Sequence, residues 1–434
     1  MSNNLIKEMK DVRKAWLLFI PFMLFYAASY FQRTAIPGTT FTIFQKEYGF
    51  NAAEIAGLTS SFVLIYSFCQ LLVGMLADKF GGLRIVTAAG AFFCAGVLGF
   101  PFSCGNLTLM YVCRFLTGLG ASALYLSLVK ESERIFGRKN FPVILGIIYF
   151  AGYGGGLCGT LPFDLLCRKF EWIPLLTGIG IISTALYLAF LFAKRYVPAM
   201  PIRKTTSFFL QPLFSIAKNP LSWMIVYCST VNFASNSILQ MVFGKKLLQD
   251  VAGISDTGAS TVVFFQTLIC MFALLSGGIQ TRITHNRRKP LMIFSTILAL
   301  VNTLMMYITI RFQLSNAFLI TGFMIYAMAS GFSISFQLVC QEVNDRNNVA
   351  LSAGFCNFMT YLIIAIFSPL IGKLLNAFVD NGHQQGFVTV YPPEAYQLFF
   401  ALFLIPTGLS FLIALYLPET RGHFFKLYKR ISKT

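Results

Sequence analysis

Twelve runs of predominantly apolar residues limit what this chain can fold into, because about 20 such residues carry one helix across the hydrocarbon core of a bilayer. They lie at 15–44, 55–77, 85–102, 107–129, 141–163, 173–193, 220–243, 257–279, 290–310, 317–340, 349–372 and 396–417. Six come before a segment running from Lys194 to Asn219, and six come after it. The connections are short and hide no soluble domain. In hydrocarbon only helices and closed barrels satisfy the backbone, and runs of this length read as helices. The expected fold class is an all-α integral membrane protein. Its twelve transmembrane helices would form two pseudo-symmetric six-helix bundles, 1–193 and 220–434, joined by a basic linker at 194–219.

Composition points the same way. Charged residues are 12% of the 434, about half the usual share in soluble proteins. A net charge of +18 would fit nucleic-acid binding only as a water-facing basic patch. Sorting the charges by side of the membrane gives another reading. With the N-terminus inside, 25 of the 34 Lys and Arg fall on that side, seven fall opposite, and Arg33 and Arg114 lie within spans. This asymmetry predicts that both termini are cytoplasmic. No signal peptide is evident, since residues 1–14 are charged and the first apolar run is too long for an h-region. The ten Cys form no C-x-x-C pair, and neither a metal site nor a cofactor is expected.

The halves carry traces of a repeat. A shift of 211 residues sets Gly120 on Gly331, Ser122 on Ser333 and Glu131 on Glu342, while a shift of 203 sets Gly74 on Gly277 and Arg84 on Arg287. Asp78 falls opposite Thr281, so the correspondence is sparse.

The second and third spans are joined by Gly74-Met75-Leu76-Ala77-Asp78-Lys79-Phe80-Gly81-Gly82-Leu83-Arg84. This stretch resembles the G-x-L-A-D-[RK]-x-G-x-[RK] signature of the major facilitator superfamily. Arg114-x-x-x-Gly118-x-Gly120 in the fourth span resembles that family's second signature. Glu131-x6-Arg138 and Pro418-Glu419-Thr420-Arg421-Gly422 resemble cytoplasmic motifs seen most clearly in its sugar porters. The resemblance covers the whole chain in span count, linker and orientation, and it implies an alternating-access carrier. Asp78, Arg84, Glu131, Arg138, Glu419 and Arg421 are then gating candidates, with Asp78, Glu131, Arg138 and Glu419 expected to pair and latch the halves. Gly152, Gly154, Gly155, Gly156 and Gly159 crowd the fifth span. Without a G-K-[ST] ending they read as a face for tight packing or bending in lipid.

Arg33 interrupts an uncharged run from Ala15 to Gln45. A central cation costs ~2.5–3.5 kcal/mol on insertion scales, so it should face the protein interior or a cavity. Tyr26, Tyr30 and Arg33 are spaced by four and three and share a helical face. The stretch Phe25–Arg33 resembles first helices of the organophosphate:phosphate antiporters and the anion:cation symporters, which implies that Arg33 contacts a substrate anion. Elsewhere the pattern departs from the antiporters. Ser235 stands where they have a second arginine and Gln70 where they have a lysine, so a carboxylate or zwitterion is favoured over a phosphate monoester. Arg114 is a further candidate, either for binding or for structure.

Polar stripes complete the expected site: Asn232 and Asn236 with Gln240 in span seven, Tyr326, Ser330, Ser333 and Gln337 in span ten, and Asn357 with Tyr361 in span eleven. They would orient a polar solute or bond one helix to another. No carboxylate or histidine sits centrally in a span. Membrane enzymes and evident proton carriers are thereby disfavoured, and exchange or facilitated diffusion is expected. The expected function is secondary transport of a small polar, anionic organic solute by a monomer in a bacterial inner membrane. The competing readings are a transporter-like sensor and a proton-driven multidrug exporter.

Overall fold

The computed structural model describes residues 2–197, 210–345, 348–385 and 388–424. Among these, eleven helices are long and apolar enough to cross a membrane. The remaining predicted span, 220–243, is the helix Pro220–Ile238 continued by a π-helical turn, Leu239–Phe243. It falls below the other eleven because Thr230, Asn232, Ser235, Asn236 and Ser237 dilute its apolar residues. The contacts divide the chain into two compact units, residues 1–35 with 61–206, and residues 36–60 with 207–434.

Unit one contains α1 (Ser2–Thr34), most of α3 (Ala52–Phe80), α4 (Gly82–Phe102), α5 (Leu107–Cys158), α6 (Leu161–Cys167) and α7 (Trp172–Ala193). The short α2 (Phe41–Tyr48) belongs to the second unit. α5 carries two spans and breaks at Gly137, where φ is 76°. The glycine face of the fifth span packs on α1. A Cβ on Gly155 would overlap the carbonyl of Ala27, whereas one on Gly154 would meet nothing within 4 Å. The crossing is fixed by Thr34, whose hydroxyl donates to Gly156 O at 2.8 Å. Small residues give close approach, and close approach lets one helix's hydroxyl reach the next helix's backbone.

Unit two contains α8 (Leu210–Lys218), α9 (Pro220–Ile238), α10 (Gly244–Ala252), α11 (Asp256–Leu275), α12 (Gly277–Ile283), α13 (Lys289–Arg311), α14 (Asn316–Phe332), α15 (Ile334–Glu342), α16 (Val349–Asn376) and α17 (Pro393–Tyr416). A two-stranded hairpin of β1 (His383–Gln385) and β2 (Val388–Val390) precedes α17. Ile225, Cys228, Met292, Phe336, Val339 and Phe355 form its apolar core next to α8.

Residues 36–60 are bonded into this unit by a polar clasp. Lys245 Nζ donates to Thr39 O at 3.3 Å, Thr42 to Gln249 at 3.1 Å, and Gln45 to Tyr391 at 3.3 Å. The backbone N–H of Ala52 donates to Asn376 at 3.1 Å. At its centre lies a buried ion pair, Lys246 Nζ to Asp250 Oδ1 at 2.7 Å. Tyr396 OH and the Tyr391 N–H donate to the other carboxylate oxygen at 2.8 and 3.2 Å, and Lys246 also donates to Thr389 O at 2.6 Å. Burial pushes the Asp250 carboxyl up and the Lys246 ammonium down, and their pairing opposes both shifts.

Two measurements test these packings. Gly155→Val should lower stability by about 1–3 kcal/mol or more, while Gly154→Val should be tolerated in the same thermal-unfolding assay in detergent. Asp250→Leu or Lys246→Met alone should cost about 3–5 kcal/mol, because each leaves a buried charge unpaired. The double variant should cost less than either single change, and additive losses would exclude the pairing.

Candidate functional site

In unit one, α1 places Tyr26, Tyr30 and Arg33 on one face, as their spacing requires. Arg33 is 3% exposed and Arg114 1%. The Arg33 guanidinium lies 4.1 Å from the ring centre of Tyr66, 4.7 Å from Tyr30 and 5.6 Å from Phe62. The Arg114 guanidinium lies 4.6 Å from the same Phe62 ring and donates to Gln32 O at 3.0 Å. Phe62 is held by Gly118, where a Cβ would overlap its carbonyl. The Arg114-x-x-x-Gly118 pattern thus supplies both a cation and the space for the ring it meets.

Further tyrosines surround the pair. Tyr26 packs on Tyr30 and Tyr125 with ring centres 5.1 and 6.0 Å apart, and Tyr30 on Tyr153 at 5.5 Å. The Tyr125 and Tyr149 hydroxyls are hydrogen-bonded at 2.7 Å. Gln70 donates to Ser122 O at 3.3 Å, and its Oε1 accepts no hydrogen bond among the described residues. Phe62, Tyr66, Tyr125, Tyr149 and Tyr153 were not singled out by the sequence reasoning. The four-residue spacings Phe62/Tyr66 and Tyr149/Tyr153 are the signal that would have found them.

Aromatic faces stabilise a guanidinium that has lost water, by about 0.5–2 kcal/mol per contact. A guanidinium also carries N–H donors in a planar fork, which matches a carboxylate or phosphate edge. Two guanidinium groups meeting one ring concentrate positive charge within apolar walls.

In unit two, most of the polar stripes bond helix to helix. Asn232 donates to Cys228 O at 2.9 Å and accepts from Ser295 at 3.4 Å. Asn236 accepts from Gln266 at 2.9 Å, and Gln240 donates to Thr267 at 2.7 Å. Tyr326 bonds Thr303 at 2.7 Å, Ser330 accepts from Cys270 at 4.0 Å, and Ser333 donates to Ser330 O at 2.6 Å. Gln337 and Asn357 are half-buried, and Tyr361 packs on Phe233 at 6.1 Å. Gln266, fully buried on α11, was missed because a single glutamine in an apolar run carries no pattern.

The gating candidates fall in both units. The side chains of Asp78 and Arg138 lie outside the described residues. Glu131 pairs with Arg134 at 2.6 Å and accepts from the Leu83 N–H at 3.3 Å. Arg84 donates to Phe80 O at 3.1 Å. Glu419 accepts from the backbone N–H groups of Arg288 and Lys289 at 2.8 and 3.0 Å, and from that of the exposed Arg421 at 3.0 Å. Arg288 in turn pairs with Glu342 at 3.2 Å, and Thr420 donates to the same carboxylate. Carboxylates therefore sit at the first N–H groups of α4 and α13, where helix dipoles favour negative charge. No group of three or more His, Cys, Asp or Glu placed to hold a metal occurs among the described residues.

A family model described as Major Facilitator Superfamily matches residues 22–369. The chain belongs to the major facilitator superfamily. Its family and fold place it among membrane transporters and not among enzymes. Solved superfamily structures align along nearly the full chain. The nucleoside transporter NupG has a TM-score of 0.69 at 17% identity, covering 93% of this chain and 98% of that one. A bacterial homologue of the human lysosomal transporter Spinster gives 0.71 at 14%, covering 93% and 97%. A POT family peptide transporter gives 0.70 at 13%, covering 93% and 96%. At these identities the likeness is one of fold. The chain is 25% identical over 155 residues to the chloroplastic ascorbate transporter of Arabidopsis thaliana, and 34% identical over 110 residues to an uncharacterized 38 kDa protein of Thermoproteus tenax. The matches take in 34% and 25% of this superfamily member, and it spans only 27% and 28% of those relatives.

Tyr66→Leu should lower stability by about 1–2 kcal/mol through loss of the 4.1 Å stack on Arg33. Tyr66→Phe keeps the ring and should cost less. Equal losses in equilibrium unfolding would mean that the ring face does not hold the arginine.

Proposed function

We propose that this chain is a secondary transporter of a small organic anion, working by alternating access as superfamily carriers do. The observation that carries the reading is the convergence of Arg33 and Arg114 on Phe62, with the rings of Tyr30 and Tyr66 close to Arg33. Rings take up part of the charge of a guanidinium that has lost water, and its N–H groups are donors suited to an anion. An anion there would gain charge-assisted hydrogen bonds in surroundings that exclude water. Tyr26, Tyr125 and Tyr149 would contribute hydroxyls for the polar remainder of the solute, with Gln70 beside them. Two nearby cations extend the expected substrates from monocarboxylates to doubly charged anions, beyond what a single central arginine implied.

The same positive charge disfavours cationic drugs. The match to a protein named an ascorbate transporter accords with an organic acid as substrate. With no carboxylate placed centrally in a span, exchange or facilitated movement fits better than proton coupling through a buried acid. We further propose a monomer in a bacterial inner membrane; its termini are placed in the cytoplasm on the 25 to seven division of basic residues.

The test is uptake of labelled organic anions into proteoliposomes, using a panel of a monocarboxylate, a dicarboxylate, a phosphate monoester and ascorbate. A charge-assisted contact is worth about 1.5–3 kcal/mol, so Arg33→Gln should raise the apparent KM about 10- to 100-fold for the transported anion. Arg33→Lys should recover only part of the loss, and Arg114→Gln should weaken dianions more than monoanions. An Arg33→Gln protein that transports as well as the parent would eliminate the anion site. A chain that binds the anion without moving it would favour a sensor.

A further inference from the structure

A groove of about 450 Å³ runs along the second unit between α9, α16 and α17. α16 and α17 each pack on α9 but touch one another little, and this leaves a cleft with α9 as its floor. Trp223 and Ala234 line it from α9, Ile363, Phe367 and Leu370 from α16, and Leu402 from α17. The α16 residues are spaced by four and three and so share one face. The opposite face of that helix packs on residues 52–60, where Ala365 O accepts from Ser60 and Gly372 lies against Ala52 and Ala53. The groove accordingly opens away from the clasp, onto the apolar exterior. Its rim residues Phe367, Leu370 and Leu402 are 41%, 49% and 51% exposed, and they run on into exposed Ile366, Leu398 and Ile405.

Sites for polar small molecules join apolar walls to a few free polar groups. Here the polar groups in the wall are engaged. Tyr227 OH donates to Pro406 O at 3.2 Å, and Thr230 is bonded to Thr360 at 3.1 Å. One end has a different chemistry. Trp223 Nε1 donates to Ala217 O at 2.7 Å, which brings exposed Lys218, in the last turn of α8, beside that end of the groove. An amphipathic ring next to a cation is the pairing found where membrane proteins meet lipid headgroups.

We propose that this groove holds an acyl chain of a membrane phospholipid, with the lipid phosphate at Lys218 beside Trp223. The groove is continuous with the lipid-facing surface of the helices, its lining offers no free hydrogen-bonding group, and its charged end complements a phosphodiester. The acyl chain would pack on the back of α9, whose other face carries Asn232 and Asn236. Occupancy of the groove would then bear on the seating of the helix that supplies those amides.

The experiment uses the full chain reconstituted in phosphatidylcholine vesicles containing a minor share of phosphatidylglycerol with a diazirine in one acyl chain. After irradiation, adducts are mapped by peptide mass spectrometry. The expected result is severalfold more labelling of the groove faces of α9 and α16 than of α7 around Ile182 and Leu188, which are 61% and 58% exposed. Ala234→Phe, which fills the floor, should bring groove labelling down to the α7 level. Leu402→Trp at the half-exposed rim should do the same if the floor variant does not fold. Lys218→Gln should reduce labelling by the phosphatidylglycerol probe more than labelling by a phosphatidylcholine probe of the same acyl chain. Groove labelling no greater than that of α7, or unchanged in the filled variants, would overturn the lipid site. Unchanged probe preference in Lys218→Gln would overturn the placement of the phosphate.

Discussion

Every backbone N–H and C=O at bilayer depth must find its partner within the protein, because hydrocarbon offers none. That requirement shapes the chain as helices long enough to cross a membrane, and it governs where they end. Glu131 accepts from the Leu83 N–H, and Glu419 takes those of Arg288 and Lys289, so negative charge meets the exposed donors of α4 and α13. Thr34 reaches the backbone of α5 only because glycine brings that helix close to α1. Side-chain chemistry at the helix ends and crossings follows from the backbone's need.

The same scarcity of partners gives the arginines their meaning. A guanidinium removed from water is held here by rings that answer its charge, and Arg114 also donates to Gln32 O. The cluster around Phe62 thus combines tolerance of positive charge with directional hydrogen-bonding capacity. In unit two the polar side chains are arranged differently. Amides and hydroxyls there are bonded to one another across α9, α11, α13 and α14.

Much of the fold was legible in the sequence, since span length is a local property. The face shared by Tyr26, Tyr30 and Arg33 was legible too, because helical spacing alone defines it. What spacing cannot give is the partner across a helix crossing. Phe62 lies far in sequence from Arg114, and nothing local marks it as the ring that both arginines meet. Nor does local pattern distinguish a stripe facing a cavity from one bonded to the next helix, as Asn232 with Ser295 and Asn236 with Gln266 illustrate. The inclusion of residues 36–60 in the second unit rests on long-range bonds to Lys245, Gln249, Asn376 and Tyr391, which no window of sequence contains.

The polarity of α9 bears on how the protein is made. This helix is less apolar than the eleven others, and on its own it would carry Asn236 and neighbouring polar groups into lipid. Its partners Gln266 and Ser295 lie on α11 and α13, which the ribosome delivers later. These bonds can form only once α11 and α13 are present. The polar face of α9 is thus completed by helices that follow it in the chain.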